Sequence, residues 1–188
     1  MASALPHAYM FVMNRALRLA LGVTAPLIWV VPATAEDRLD RYVATYGPRL
    51  EICIFDADPE TLTDCKGALS QICSQEEEGG YTTIGMVECM AAETRVWDDV
   101  LNREYQKTLL WAAEMDALEN VAETGFPSLR DAIRDAQRAW IPFRDAECLV
   151  DYAVWGRGSM RNIASASCQM EQTADRAIHL IQLRTRTQ

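Results

Sequence analysis

The sequence predicts a small all-α domain that is stapled by disulfides, with two or three long helices and a short-helical N-terminal section. Apolar residues recur at three-, four- and seven-residue intervals over long stretches, whereas strand-like alternation is sparse. Six cysteines follow a predicted export segment, and an even number in that context suggests three disulfides. Removing the first 35 of the 188 residues leaves 153, which is enough for one domain.

Residues 1–35 are predicted to be a signal peptide. Arg15 and Arg18 precede the apolar run 19–31, and residues 33–35 (Ala-Thr-Ala) supply the small side chains of a cleavage site. The apolar run is too short to cross hydrocarbon about 30 Å thick, which needs about 20 residues. We therefore expect a soluble exported protein, periplasmic or extracellular, without stable membrane insertion.

The section 36–72 is predicted to hold two short helices. Gly47-Pro48 should end the first, and the second should run near residues 60–72 because Pro59 is a favoured first residue of a helix. Neither helix buries enough surface alone, so disulfides and docking must hold this section.

A long helix is predicted to begin near Thr82 or Thr83, either of which can cap it, and to continue as far as Glu123 before Gly125. The alternative for the acidic stretch 112–124 is a mobile connector. Its apolar stripe is more typical of a core than of a cofactor pocket. The stripe consists of Met86, Met90, Trp97, Leu101 and Tyr105.

The next helix is predicted to begin at Ser128, with Asp131 as a capping partner, and to bend at Pro142 before it ends near Gly156. A last helix should follow Ser159, which can cap it. The predicted buried face of the helix after Ser128 consists of Leu129, Ile133, Ala136, Trp140 and Phe143.

The cysteines favour structural bridges over a metal site, because there is no C-x-x-C pair and His179 is the only histidine after the export segment. Six cysteines allow 15 pairings. Pairing of neighbours would close short loops, each stabilising the fold by about 3 kcal/mol in the loop-entropy view. The neighbouring pairs are Cys53–Cys65, Cys73–Cys89 and Cys148–Cys168.

After the export segment the chain is strongly acidic, with 16 basic and 27 acidic residues and a net charge of −11. This charge argues against nucleic-acid binding and favours a cationic partner, although solubility alone is the competing interpretation. Residues 36–126 have a net charge of −13, whereas residues 127–188 have +2. Exposed candidates for partner binding are Glu76, Glu77 and Glu78, which two glycines follow; a merely solvated loop is the alternative.

Catalysis is not expected. Asp98 and Asp99, and likewise Asp145 and Glu147, offer paired carboxylates, but neighbouring helical positions diverge by about 100° and do not face one site. The sequence has no G-x-S-x-G, P-loop or dinucleotide-binding glycine pattern. We expect no cofactor and no metal.

Short motifs follow one another along residues 86–180 of the chain. They are Met86-x-x-Cys89, Asp98-x-x-Leu101-Asn102-x-x-Tyr105, Gln137-Arg138-x-Trp140, Arg144-Asp145-x-x-Cys148, Gly158-Ser159, Cys168, Thr173-x-x-Arg176 and Leu180. Their order and spacing resemble the LprI-type lysozyme inhibitor family. The resemblance implies an exported helical inhibitor of lysozyme, with residues 73–188 as the LprI-like domain; an envelope interaction or scaffold module with another partner is the alternative.

The motif residues also have a structural interpretation. Gln137, Trp140 and Arg144 share one helix face, and so do Asp98, Asn102 and Tyr105. If the two faces meet, they form a hydrogen-bonded latch to which Arg176 contributes from the last helix. Direct contact with a partner is the competing role.

The turn 156–159 (Gly-Arg-Gly-Ser) is a further candidate. Its two glycines allow a tight loop from which Arg157 projects, and a guanidinium can pair with a carboxylate in a lysozyme cleft. An ordinary helix connector is the alternative.

Overall fold

The computed structural model describes residues 34–185, and this part of the chain is helical without a strand, which confirms the all-α prediction. The predicted signal peptide lies outside the described residues except for Thr34 and Ala35. No helix within residues 34–185 is both long and apolar enough to cross a membrane. The elements are α1 (Ala35–Asp56), a 3-10 helix (Leu62–Cys65), α2 (Ala68–Glu76), α3 (Thr83–Leu118), α4 (Val121–Thr124), α5 (Leu129–Val154) and α6 (Met160–Thr185).

The 36-residue helix α3 is the centre of the fold, because α1, α2, α5 and α6 all pack against it. Arg38 pairs with Glu88, and Glu51 with Arg103, so α1 runs parallel to α3. The fully buried side chains of Leu50, Leu69 and Trp97 bring α1, α2 and α3 together. The buried face of α3 consists of Cys89, Ala92, Glu93, Val96, Trp97, Val100, Leu101, Glu104, Thr108 and Ala112.

The prediction that the first helix stops at Gly47-Pro48 is wrong, because α1 continues through both residues to Asp56. Tyr42, Tyr46 and Leu50 lie four residues apart and are buried, so ending the helix at Gly47 would expose the last of them. Gly47 itself lies against α3, where an added Cβ would be 3.4 Å from Val96. Tertiary packing therefore outweighs the local preferences of glycine and proline.

The prediction of one helix over residues 60–72 is also wrong. A 3-10 helix ends at Cys65, and α2 begins only at Ala68, after Gly67 in the left-handed conformation (φ 85°). The cause lies on α3: the buried carboxylate of Glu93 accepts hydrogen bonds from the backbone N–H groups of Gly67 (2.6 Å) and Ser70 (2.7 Å). A carboxylate at the N-terminus of α2 also complements the helix dipole.

The predicted start of the long helix is confirmed, since the Thr82 hydroxyl accepts a hydrogen bond from the Gly85 N–H at 3.1 Å. Its predicted end near Glu123 is wrong. The helix stops at Leu118 because Asn120 adopts a left-handed conformation (φ 48°), and α4 is a separate single turn. In the predicted stripe Trp97 and Leu101 are buried, whereas Met86, Met90 and Tyr105 are partly exposed.

Ser128 caps α5 as predicted, accepting from the Asp131 N–H at 3.1 Å, and Pro142 lies inside the helix. The predicted buried face is wrong at Ala136 and Phe143, which are exposed. These positions are exposed because α5 turns another stripe toward α6. That stripe consists of Ile133, Gln137, Trp140, Arg144 and Cys148.

Three disulfides join cysteines that are neighbours along the sequence, in agreement with the predicted pairing. Cys53–Cys65 ties the end of α1 to the 3-10 helix, Cys73–Cys89 joins α2 to α3, and Cys148–Cys168 joins α5 to α6. The Cα–Cα distances are 5.8, 5.7 and 5.4 Å, within the range that disulfides span.

Candidate functional site

The motif residues on α5 and α6 form a polar cluster around Trp140. The Arg176 Nε donates to Gln137 Oε1 at 2.8 Å, and Arg144 Nη1 donates to Thr173 Oγ1 at 3.3 Å. Both guanidinium groups lie over the Trp140 ring, at 5.0 Å for Arg144 and 6.0 Å for Arg176. Burial lowers the pKa of Arg176 from its ordinary value. These contacts hold α5 and α6 together.

The predicted latch between α3 and α5 needs correction. Asn102 Nδ2 donates to Asp98 Oδ2 at 3.0 Å along the surface of α3 instead of reaching α5. The phenol of Tyr105 on α3 partly opposes the lowering of the Arg176 pKa. The hydrogen bonds of the cluster join α5 to α6.

The remaining motif residues also support the framework. Leu101 is buried in the core, and Met86 lines a shallow cleft between α2 and α3. Asp145 accepts two hydrogen bonds from Arg144, at 2.9 and 3.0 Å. Gly158 and Ser159 lie in the exposed turn between α5 and α6.

The acidic run is only partly the exposed loop that the sequence predicts. Glu76 ends α2, and the Glu77 side chain is only 16% exposed. Glu77 accepts a hydrogen bond from the Tyr46 hydroxyl at 2.9 Å and one from Arg41 at 3.1 Å. Burial, with the adjacent Glu77 carboxylate, raises the pKa of Tyr46 to about 12. Glu77 therefore docks α2 onto α1, whereas Glu76 and Glu78 are exposed.

Arg157 is exposed in the turn after α5, as predicted. Gly156 adopts the left-handed conformation (φ 54°), and its carbonyl accepts a hydrogen bond from Arg161 Nη1 at 3.3 Å. The Cys148–Cys168 bridge closes the hairpin that carries this turn.

A segment that the sequence reasoning missed has the charge and shape of a binding surface. We call residues 53–65, between the ends of the first disulfide, the acidic loop. It contains four acidic and no basic residues. Among the described residues, no hydrogen bond or ion pair involves these four carboxylates, and all four are exposed. They are Asp56, Asp58, Glu60 and Asp64.

Phe55 gives the acidic loop an apolar tip, since its side chain is 87% exposed. It borders an open groove of about 830 Å³ between α1, α3 and α6, which Ile54, Leu62 and Ile181 also line. Four acids and one phenylalanine between paired cysteines were visible in the sequence. The predicted helix over 60–72 divided this group, because it placed Glu60 and Asp64 in a packed helix and left Phe55, Asp56 and Asp58 outside it.

Charged residues on α3 form the floor and rim of this groove. Glu104 pairs with Lys107 at 2.7 Å and with Arg184 of α6. Burial opposes ionisation of Glu104, but hydrogen bonds from Lys107 and Arg184 outweigh it and hold its pKa below the usual value. Arg184 also donates to the Thr108 hydroxyl. The Arg184 contacts attach α6 to α3 at the base of the groove.

No group of three or more His, Cys, Asp or Glu side chains within residues 34–185 is arranged to hold a metal ion. The exposed carboxylates of the acidic loop and the apolar tip beside them instead suit contact with a cationic protein surface.

Comparisons with known proteins agree with the motif pattern. The sequence model of the family described as Lysozyme inhibitor LprI matches residues 73–180. An uncharacterized protein of Rhizobium meliloti (strain 1021) is 27% identical over 121 residues, which cover 64% of this chain and 78% of the relative. No solved structure matches the chain significantly.

Proposed function

Because the chain belongs to the family of lysozyme inhibitor LprI, we propose that it is an exported protein that inhibits lysozyme by binding to it. The observation that supports this most directly is the family match over residues 73–180, which spans α3, α5 and most of α6. Inhibition by binding requires no catalytic residues in the inhibitor. It requires a surface that covers the active site of the enzyme.

The acidic loop is the surface that suits this role best. Lysozymes of the animal type are commonly cationic, and a partner that carries exposed carboxylates is steered toward them. The loop contributes four negative charges. The Cys53–Cys65 bridge closes it, so less conformational entropy is lost on binding than in an open loop.

The division of roles within the loop follows from the chemistry of the target. A lysozyme cleft carries two carboxylates, which would repel further carboxylates placed beside them. The acidic side chains of the loop therefore pair with basic residues at the rim of the cleft. The apolar Phe55 ring enters the cleft, where it excludes the sugar without placing a charge against the catalytic carboxylates.

The experiment is an activity assay of a cationic animal-type lysozyme with the purified oxidised protein, over a range of salt concentrations. We expect inhibition that weakens as salt rises, because exposed charges are screened beyond about 10 Å at 0.1 M. Phe55→Ala should raise the inhibition constant at least tenfold. Phe126→Ala is the matched control, because that phenylalanine is also exposed but lies outside the loop.

Charge removal tests the steering role separately. Neutralising all four loop carboxylates (D56N, D58N, E60Q and D64N) should slow association at low salt more than it speeds dissociation. Removing four exposed charges elsewhere, with E114Q, E119Q, E123Q and E147Q, is the control for net charge alone. Equal association rates for the two quadruple variants would show that the loop is not the steering surface.

Two other surfaces are tested in the same assay. Glu76 and Glu78 are exposed carboxylates, and Arg157 is an exposed cation on the α5–α6 turn that could pair with a cleft carboxylate. If Arg157→Ala changes the inhibition constant less than twofold, the turn is not an inhibitory plug. If no lysozyme type is inhibited at high protein excess, the chain is instead an envelope interaction module with another partner.

A further inference from the structure

The outward face of α5 carries an apolar seam that nothing else in the described chain covers. Seven exposed apolar residues follow one another at alternating steps of four and three. This 4-3 spacing is the heptad pattern by which two helices pack side by side, and it continues over three heptads. We call these residues the α5 seam: Ala132, Ala136, Ala139, Phe143, Ala146, Val150 and Ala153.

The seam is separate from the face that α5 uses inside its own fold. Gln137 and Arg144, which bond to α6, lie about 120° around the helix from Phe143 and Val150. Phe143 is 55% exposed and Val150 is 54% exposed. Leu149 and Val154, both well exposed, flank the seam and widen its apolar surface near the end of the helix. The large side chains distinguish it from a mere stripe of alanines.

We propose that the α5 seam is the interface of a homodimer, in which α5 of a second copy packs antiparallel against it. The spacing favours another helix over a flat surface, because a period of 3.5 residues keeps a seam in register only against a supercoiling partner. The large side chains of Phe143 and Val150 lie between alanines, so the large side chains of one copy can pack beside the small ones of the other. Phe143 is close to the midpoint of the seam.

The antiparallel arrangement follows from the sizes of the side chains. With the two-fold axis near Phe143, Val150 of one copy lies opposite Ala136 of the other, so a large residue meets a small one. Phe143 meets its own copy in either arrangement, but a parallel pair would also place Val150 against Val150 and Ala136 against Ala136, which leaves gaps in the packing.

Charge explains why a second copy would bind here and not elsewhere. Helix α5 has four basic and five acidic residues, a net charge of −1, whereas residues 36–126 have −13. Two copies that met through the acidic region would repel each other, while α5 faces can meet without that cost. The seam spans about 33 Å of helix, a short interface, so a reversible dimer of micromolar affinity is expected.

The test is sedimentation equilibrium of the purified oxidised protein from micromolar to millimolar concentration. We expect a monomer–dimer equilibrium for the wild type and a dissociation constant at least tenfold higher for the F143E/V150E variant. Leu110→Glu is the matched control, because Leu110 is 69% exposed on α3, and it should leave the dimer unchanged. Thermal melting confirms that each variant is folded.

Several outcomes would overturn the proposal. A wild-type chain that stays monomeric up to millimolar concentration has no dimer interface. A dimer that survives F143E/V150E uses another face. If the monomer instead binds lipid vesicles or lysozyme, and F143E/V150E abolishes that binding, the seam docks a membrane or the enzyme and not a second copy. Inhibition of lysozyme through the acidic loop does not depend on any of these results.

Discussion

The two ends of the sequence fold by different means. In the first region, α1, α2 and the first half of α3, large side chains such as Leu50 and Trp97 are completely buried and two disulfides cross-link the elements. In the second region, the hairpin of α5 and α6, only Ile133, Gln137 and Cys148 of α5 are buried. Most apolar side chains of α5 face outward, whereas α6 packs its apolar face against α3.

The difference shows that a dense core and an exposed apolar helix face belong to different helices of this small domain. The first region owes its stability to a dense core, so it can expose a charged loop at its edge without losing its shape. In the second region one bridge and a polar cluster hold α5 to α6, which leaves the outer face of α5 exposed. Substitutions that remove a single contact should therefore have unequal effects in the two regions.

The largest expected effect is in the first region, at Glu93. Its carboxylate accepts hydrogen bonds from Gly67, Ser70 and the indole N–H of Trp97. Glu93→Ala leaves three donors buried without a partner, at about 1–3 kcal/mol each, so we expect a loss of about 4 kcal/mol in the free energy of unfolding. Urea denaturation measures it. The exposed Glu147→Ala on α5 should change stability by less than about 0.5 kcal/mol.

The bridge of the second region ranks next. Replacing Cys148 and Cys168 with serine opens a loop closed by a sequence separation of 20, which lowers stability by about 3 kcal/mol in the loop-entropy view. The loss should be local. Hydrogen exchange should accelerate in residues 141–170, whereas protection in α1–α3 stays close to that of the parent protein. Uniform acceleration throughout the chain would show that the two regions do not differ in this way.

Arg144 tests the polar cluster. Arg144→Met removes the hydrogen bond to Thr173 and the contact over Trp140, so we expect a loss of about 1–2 kcal/mol, or roughly 5 °C in melting temperature. The control is Arg138→Met on the same helix, since the Arg138 side chain is 74% exposed and pairs only loosely with Asp135. Unchanged melting of Arg144→Met together with lost partner binding would contradict the structural role.

The smallest effect is a pH dependence in the first region. The pKa of Tyr46 is raised to about 12 in the folded protein, above its ordinary value near 10. The unfolded chain therefore releases this proton first, so the contribution to stability is present below pH 10 and is lost as pH rises toward 12. In Tyr46→Phe the free energy of unfolding should therefore fall less steeply between pH 10 and pH 12 than in the parent protein. An equally steep fall in Tyr46→Phe would assign the dependence to another group.

The first residue of a helix could be predicted where a nearby side chain accepts a hydrogen bond from the backbone N–H groups of the first turn. Thr82 and Ser128 were identified as caps because the bonds they form reach only three residues along the chain. The neighbouring cysteine pairs were predictable for a similar reason, since short loops bring their ends together at low entropic cost. The motif residues of α5 also lie on one face, as their spacing requires.

Other features depended on residues that are distant in the sequence. Gly47-Pro48 does not end α1, because Tyr46 and Leu50 are buried against α3. Gly67 separates the 3-10 helix from α2, because its N–H donates a hydrogen bond to Glu93, 26 residues away. Glu77 is docked onto α1 by Tyr46 and Arg41 and is not free in a loop. In each case the local conformational preference of the residues is weak, and contacts with distant parts of the chain outweigh it.

The helical class, the caps, the cysteine pairs and the acidic balance could be predicted without a structure, since periodicity, composition and short-range hydrogen bonds all act within one segment. Which face of α5 is buried depends instead on how the helices pack. Ile133 and Phe143 are both apolar and both fit a helix, and what separates them is the position of α6, whose Thr173 and Arg176 bond to one side of α5. Helical spacing places side chains on a face, but only a neighbouring helix makes that face an interior.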